Sequence, residues 1–158
     1  MWMSSDGEVL TGLWFEGSKD TGKHLRNGTE QLLPVFKSTI CWLDVYFSGN
    51  APDFTPEYRI ENMTDFRGEV QHIMQEIPYG KTITYGDIAR EMEREIGRKM
   101  SAQAVGGAVG SNPISILIPC HRVVGSGGKL TGYAGGLEKK IWLLQHEGWE
   151  GVKKHDHQ

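Results

Sequence analysis

A cysteine and a histidine stand side by side in the segment Pro119-Cys120-His121-Arg122-Val123. Only the thiolate form of cysteine is a strong nucleophile, and an ordinary thiol with a pKa of about 8.5 is mostly protonated at neutral pH. A neighbouring imidazole that takes the proton would activate Cys120. The alternative is a buried, inert cysteine, because free cysteines are often buried and adjacent residues of a strand point to opposite faces. The choice between the two depends on the surrounding residues.

Two further polar residues suggest a reactive group around Cys120. Asn112 lies eight residues before the cysteine, where its amide could orient a neighbour, although an Asn-Pro pair most often only makes a turn. Glu147 ends an apolar helix, where the helix dipole disfavours an acidic side chain. Pairing with His121 would explain this position, since a carboxylate holds the imidazole tautomer and favours its cationic form. The three groups would then follow the logic of a Cys-His-acid triad.

The composition of the 158 residues is typical of a globular protein, with 38% hydrophobic and 23% charged residues. No apolar stretch approaches the roughly 18 residues that span a bilayer, and no secretory signal is visible at the start. The two cysteines, Cys41 and Cys120, offer neither a disulfide framework nor a zinc-ligand spacing, so a reducing, cytoplasmic setting is predicted. We expect Cys41 to be a core residue.

Charge is distributed unevenly along the chain. Residues 1–78 carry 6 Lys/Arg and 12 Asp/Glu, a net charge of −6, whereas residues 79–158 carry 11 and 8, a net charge of +3. An anionic partner would therefore meet the C-terminal half.

Hydrophobic patterning predicts a strand and several helices. A strand is predicted at 9–15, and apolar residues recur at helical spacing between 29 and 47. After a break at 48–63, another helix begins with Thr64 as its N-cap. The apolar run 114–118 predicts a buried strand that ends at the cysteine, and a last helix covers 137–147 with Leu137, Ile141 and Leu144 on one face.

Two short helices lie between these elements. Thr84 and Asp87 resemble a capping box that opens the first helix, and the second helix is predicted to begin at Ser101, after Gly97. Two helices joined in this way form a helix-turn-helix pattern. Nearly every side chain from Ala102 to Val109 is small. This favours either tight packing against the core or close approach to a ligand such as DNA.

Long stretches of the chain resemble the O6-alkylguanine-DNA alkyltransferases. The resemblance rests on 106–113 leading into 118–124, on 132–137, on 142–148, and on 77–82 and 84–89. It implies an α+β fold, with an N-terminal α/β part that contains a small RNase H-like sheet and a mainly helical C-terminal domain with the helix-turn-helix. The corresponding boundaries are 1–63 and 64–158. We expect the family's usual first strand to be shortened or absent, because the chain starts close to the turn at Asp6-Gly7.

The resemblance also implies a reaction. O6-alkylguanine, or O4-alkylthymine, flips out of double-stranded DNA, and its alkyl group passes irreversibly to the sulfur of Cys120. His121 acts as the base through a water molecule, Glu147 orients His121, and Asn112 helps to hold the arrangement. The implied residues around the flipped nucleotide are Tyr85, Tyr133, Val123, Ala134 and Gly135.

By the same resemblance, the second helix of the helix-turn-helix enters the minor groove of DNA. The implied DNA contacts are Gln103, Ala102, Ala104, Gly106, Gly86, Ser126 and Arg122. Gln103 is a departure, because most family members place there an arginine that fills the gap left by the flipped base. The resemblance implies no metal, no cofactor, no membrane and no obligate protein partner, and hence a monomer.

Two other function classes fit part of the pattern. Alkyltransferase-like proteins use the same fold to mark damage without transfer, but they replace the acceptor cysteine, which is present here. A Cys-His-Glu hydrolase fits the triad but not the helix-turn-helix.

Overall fold

The computed structural model describes residues 1–17, 30–61 and 63–149. Within them, five helices and two small two-stranded sheets give an α+β fold, as predicted. Residue 29, where the first helical pattern begins, and residues 150–158 of the predicted C-terminal domain lie outside the described residues. No helix in the described part of the chain is both long and apolar enough to cross a membrane.

The N-terminal strands form a hairpin that also contacts the C-terminal half. Strand β1 (Trp2–Ser5) pairs antiparallel with β2 (Leu10–Trp14), so the predicted strand at 9–15 is confirmed. The first strand is present with four residues, so it is not absent, and its predicted shortening stays a prediction. Leu13 of β2 donates to the carbonyl of Pro113 at 3.0 Å and accepts from Ser115 at 2.9 Å. The segment before the cysteine is thereby attached to the N-terminal sheet.

Helix α1 (Pro34–Phe47) begins five residues after the start of the apolar pattern. Pro34 occupies its first turn, where a missing N–H costs nothing, and Leu33 before it is extended, as residues before proline prefer. The buried face carries Val35, Thr39, Trp42, Leu43 and Tyr46. Cys41 falls outside this stripe and is exposed, so its predicted place in the core is wrong.

Three helices in the middle of the chain begin at the predicted caps. The side chain of Thr64 accepts from the backbone of Arg67 at the start of α2 (Asp65–Gln75). Thr84 and Asp87 form a full capping box, with both bonds at 2.9 Å, at the start of α3 (Tyr85–Ile96).

Helix α4 (Ala102–Gly110) follows the left-handed Gly97 and is capped by Ser101, whose hydroxyl accepts from Ala104 at 2.9 Å. Helices α3 and α4 pack against each other. Their use as a DNA-binding helix-turn-helix stays a prediction.

The predicted strand at 114–118 is wrong. Only Ile114 makes a bridge, to Leu13, and the chain then turns on itself with Ile116 at a left-handed φ of 70°. The run is apolar because all five side chains are buried, and not because they form a ladder. A single 3₁₀ turn follows at Cys120–Arg122, and it leads into β4 (Val123–Val124), which pairs parallel with β3 (Ile83–Thr84).

The last helix, α5 (Leu137–His146), ends one residue before Glu147, and Gly148 follows at a positive φ of 87°. Its buried side chains are Lys140, Leu143 and Leu144, whose helical spacing puts them on the same side as the buried Glu147. Of the residues predicted on one face, Leu144 is buried, whereas Leu137 is 43% exposed.

Candidate active site

The carboxylate of Glu147 lies at the centre of a fully buried group of hydrogen bonds. Its Oε2 accepts from His121 Nε2 at 2.6 Å and from the phenol of Tyr46 at 2.6 Å. Arg122 donates through Nε to Oε1 at 2.7 Å and through Nη2 to Oε2 at 3.1 Å. The backbone N–H of Gly80 donates to Oε1 at 3.1 Å. The predicted His121–Glu147 pair is therefore present, within a larger set of donors.

These donors come from distant parts of the fold. His121 and Arg122 share the 3₁₀ turn that begins at Cys120, and Tyr46 lies on the last turn of α1. Gly80 has a φ of +79°, and a Cβ on it would lie 2.9 Å from the carbonyl oxygen of Glu147. Only glycine combines this backbone conformation with such a close approach.

The electrostatics of the pair fix the state of His121. Burial alone would raise the pKa of Glu147, but hydrogen bonds from His121 and Arg122 outweigh it and hold that pKa far below its ordinary value. Burial lowers the pKa of His121, and the opposing effect of Glu147 does not restore it. Glu147 favours the cationic form of His121, as expected, but desolvation of the imidazolium is the larger effect.

A neutral His121 next to a carboxylate has a defined tautomer. Its Nε2 must carry the proton that it donates to Glu147, so Nδ1 carries the lone pair. Nδ1 is buried and has no hydrogen-bond partner among the described residues. The ring is therefore prepared to accept a proton on Nδ1, on the same turn as the buried thiol of Cys120.

Asn112 stabilises the backbone that leads to the cysteine. Its amide donates to the carbonyls of Ile114 at 3.1 Å and Ile118 at 2.9 Å, and its Oδ1 accepts from the N–H of Ile114 at 3.0 Å. Asn112, Ile114 and Ile118 are all buried. Asn112 thus holds the loop that replaces the predicted strand.

Arg122 does not occupy the place predicted for a DNA contact. It is only 9% exposed, and besides binding Glu147 it donates to the carbonyl of Ile77 at 2.9 Å. A guanidinium that makes three hydrogen bonds to two buried residues cannot reach a phosphate without leaving a buried carboxylate uncompensated. Its place is in the Glu147 group.

Lys140 is a buried cation that the sequence interpretation missed. It is 1% exposed, and its Nζ donates to the carbonyl of Val123 at 2.7 Å. Burial lowers its pKa to about 8, while attraction to the thiolate of Cys120 opposes that shift. The signal was available, because Lys140 lies three, four and seven residues before Leu143, Leu144 and Glu147 on the buried face of α5.

The residues predicted around a flipped nucleotide differ in their surroundings. Tyr85 shares a 3.0 Å hydrogen bond with Thr131, and Tyr133 is buried with its ring edge against Phe15, 6.3 Å between centroids. A Cβ on Gly135 would lie 2.8 Å from the Phe15 ring, so a larger residue does not fit without movement. Of the other two, Val123 is fully buried in β4 and Ala134 is half-buried.

The remaining predicted DNA contacts fall into an exposed set and a half-buried set. Ala102, Gln103 and Ala104 are exposed on the first turn of α4, and Ser126 is exposed in the loop after β4. Gly86 and Gly106 are half-buried where α3 meets α4, and a Cβ on Gly106 would make ordinary contact with the ring of Tyr85 at 3.8 Å. Gln103 is the one long side chain among the three at the start of α4.

Potential metal ligands do not cluster in the described ranges: no three His, Cys, Asp or Glu side chains there could share an ion.

Matches to known proteins include nearly all of the residues that form this site. The family model described as 6-O-methylguanine DNA methyltransferase, DNA binding domain, matches residues 65–149. A methylated-DNA–protein-cysteine methyltransferase of Haemophilus influenzae is 40% identical over 143 residues, which cover 90% of this chain and 77% of the relative. The protein of that name from Salmonella typhimurium is 46% identical over 104 residues, 66% of this chain. That match spans only 58% of the length of the Salmonella protein.

A solved structure extends the likeness to the fold. The crystal structure of Mycobacterium tuberculosis OGT in complex with DNA has a TM-score of 0.77 and 36% sequence identity to this chain. The alignment covers 98% of this chain and 91% of that one, including the N-terminal part that the family model leaves out. The chain therefore belongs to the 6-O-methylguanine DNA methyltransferase family.

Proposed function

We propose that this protein repairs alkylated DNA by transferring the alkyl group of O6-alkylguanine, or of O4-alkylthymine, to Cys120. Each molecule reacts once, restores the base and ends as an S-alkylcysteine. The observation that carries the proposal is the buried His121, held by Glu147 with its basic Nδ1 available on the turn that begins at Cys120. Its relatives named methylated-DNA–protein-cysteine methyltransferases support the same reaction.

The proposed step is an in-line displacement at a saturated carbon. His121 Nδ1 takes the thiol proton through a water molecule, and a sulfur lone pair forms the new S–C bond. The bond between that carbon and O6 breaks, and its electron pair passes to the base. A proton donated toward the base, which we assign to Tyr133, lets it leave as neutral guanine. Asn112 contributes by holding the loop before Cys120.

We place DNA on the exposed start of α4. Small side chains at Ala102 and Ala104 permit close approach of the helix to the minor groove, whose pattern of donors and acceptors is nearly independent of sequence. The M. tuberculosis relative is solved in complex with DNA, which supports a double-stranded DNA partner. Tyr85, Val123, Ala134 and Gly135 would surround the flipped base, with Gly86, Gly106 and Ser126 near the backbone.

The proposed boundaries remain 1–63 and 64–158. The family model begins at residue 65, directly after the Thr64 cap of α2, which supports this division. We further propose that the protein acts in the cytoplasm as a monomer, without metal, cofactor or obligate protein partner.

Intact-mass spectrometry tests the proposal directly. After incubation with a duplex containing O6-methylguanine, the full chain should gain the mass of one CH₂ group and no more, whereas an unmodified duplex should leave its mass unchanged. Cys120→Ala should gain nothing. Tight binding of the lesion without a mass gain would indicate a damage-marking module instead, and repeated turnover of a thioester would indicate a hydrolase.

The exposed Gln103 leads to a prediction about DNA affinity. Gln103→Arg adds one cation at the proposed interface, so we expect tighter binding of duplex DNA at low salt. The slope of log affinity against log salt should steepen by about one. Fluorescence anisotropy at several salt concentrations measures both. Gln31→Arg adds the same charge at an exposed position in the N-terminal part and serves as the control. Equal effects of the two variants would contradict the placement of Gln103.

A further inference from the structure

One hydrogen-bond donor to Glu147 comes from the N-terminal part of the chain, which supplies no residue to the proposed reaction. The donors His121, Arg122 and Gly80 all lie within 65–149, the segment that matches the family model. Tyr46 lies 101 residues before Glu147, on α1 of the N-terminal part, and its phenol reaches Oε2 at 2.6 Å. We infer that Tyr46 is a positioning residue for the reaction, acting on His121 through Glu147.

The geometry gives Tyr46 a direct effect on the pair. Its O–H and the Nε2–H of His121 donate to the same oxygen, each at 2.6 Å. A hydrogen bond to a carboxylate is stronger than one between neutral groups, and it withdraws negative charge from the oxygen that it binds. The phenol therefore limits how strongly Glu147 stabilises a protonated imidazole, so that Nδ1 stays unprotonated and able to take the thiol proton.

The phenol is held in the state that this role requires. Burial, together with the charge of Glu147, raises the pKa of Tyr46 far above its ordinary value, so it remains an O–H donor throughout the pH range in which proteins stay folded. The charged and titratable groups around the carboxylate are His121, Arg122, Tyr46 and the neutral phenol of Tyr79, whose pKa burial and the charge of Glu147 raise. The charge of Lys140 acts on His121. Among the side chains that hydrogen-bond to Glu147, Tyr46 and the neutral His121 are uncharged donors, and Arg122 is the charged one.

Packing fixes the ring of Tyr46. It is fully buried, stacked on Trp42 with ring centroids 5.5 Å apart and planes 6° apart, and Tyr79 meets it edge-on at 6.0 Å. Its backbone carbonyl also accepts from Nε2 of His146, the residue before Glu147, at 2.7 Å. Two hydrogen bonds thus connect the end of α1 to the end of α5, and the N-terminal part contributes a group to the reactive centre.

Tyr46→Phe tests the inference, which rests on the proposed alkyl transfer. This variant keeps the ring and removes only the O–H. The single-turnover rate of methyl transfer at neutral pH should fall by about tenfold, as expected for a lost hydrogen bond to a charged group. Without the phenol, Oε2 attracts the imidazole proton more strongly and favours protonated His121. The rising limb of the rate against pH should therefore move to higher pH, a change that loss of packing alone does not produce.

Tyr79→Phe is the matched control. It removes a buried phenol oxygen from the neighbouring ring, and that oxygen has no hydrogen-bond partner among the described residues. Its rate and pH profile should match those of the wild type. In the wild type, the phenolic proton of Tyr46 should also give a downfield nuclear magnetic resonance signal that depends on Glu147, a readout that does not require the variant to fold.

The outcomes separate the two proposals. A wild-type chain that gains no alkyl mass overturns the proposed function. A wild-type chain that reacts, while Tyr46→Phe keeps its rate and pH profile, overturns the inference alone. Equal slowing in Tyr46→Phe and Tyr79→Phe, with unchanged pH profiles, also overturns it, because the effect would then belong to the core.

Discussion

Replacing Glu147 with glutamine is expected to slow methyl transfer by about a hundredfold or more, by analogy with loss of the orienting acid in other triads. Glutamine keeps the shape but puts an NH₂ group where one carboxylate oxygen accepts hydrogen bonds. Every group that faces Glu147 is a donor: His121 Nε2, Arg122, Tyr46 and the N–H of Gly80. The imidazole then loses the partner that holds its proton on Nε2, and Nδ1 is no longer reliably the basic nitrogen.

The same substitution should destabilise the fold. It leaves the buried guanidinium of Arg122 without its counter-charge, which costs about 3–5 kcal/mol of unfolding free energy. Because the pKa of Glu147 is lowered on folding, its contribution is present above the unfolded pKa of about 4.3 and is lost as the pH falls further. At neutral pH the variant should therefore have a lower free energy of unfolding than the wild type. That free energy should also fall less than in the wild type as the pH is lowered.

Urea unfolding at pH 7 and at acidic pH, together with single-turnover kinetics, measures these effects. Glu138→Gln makes the same change at an exposed position on α5 and should behave as the wild type. If Glu147→Gln reacts within about twofold of the wild-type rate, the assignment of Glu147 as the orienting acid is wrong.

Lys140→Met should change rate and stability in opposite directions. The positive charge of Lys140 interacts with the sulfur of Cys120, and that attraction favours the thiolate. Methionine keeps much of the volume but removes the charge, so we expect methyl transfer at neutral pH to slow by about tenfold or more. Stability should rise, because a buried cation that donates to the neutral carbonyl of Val123 still costs desolvation energy.

The pH dependence distinguishes this effect from simple repacking. The pKa of Lys140 falls from 10.5 to about 8 on folding, so at neutral pH the buried charge costs on the order of 3 kcal/mol. Between pH 8 and 10.5 the unfolded chain holds a proton that the folded one has released, so this cost disappears as the pH rises. Wild-type stability should gain from alkaline pH through this group, and Lys140→Met should not.

Lys37→Met, on the exposed side of α1, is the control for removing a lysine charge. Urea unfolding from pH 7 to 10.5 gives the stability profiles, and quenched-flow mass spectrometry gives the rates. A variant that reacts as fast as the wild type would show that the thiolate does not depend on Lys140.

Local signals in the sequence predicted the helices well. Thr64, Thr84 and Ser101 cap helices through hydrogen bonds to residues three positions on, so the information lies within one turn. The pairing of His121 with Glu147 was also predictable, because an acid at a helix C-terminus conflicts with the helix dipole and calls for a partner.

Features that depend on tertiary packing were not predictable in the same way. The run at 114–118 is apolar because every side chain is buried, and composition cannot separate a buried loop from a buried strand. Cys41 is exposed because it lies outside the face of α1 that packs against the core. Arg122 looked available to phosphate, but its guanidinium is committed to a carboxylate 25 residues away.

The hydrogen bond between Tyr46 and Glu147 has a consequence for the order in which the chain acquires its activity. It closes a loop of 101 residues, and contacts of such long sequence separation form late in folding. During synthesis Cys120 is made before α5, so the emerging chain holds a thiol whose histidine still lacks its acid. We expect the sulfur to become an efficient acceptor only when α1 and α5 have docked. Reactivity toward alkylated DNA would then report completion of the fold.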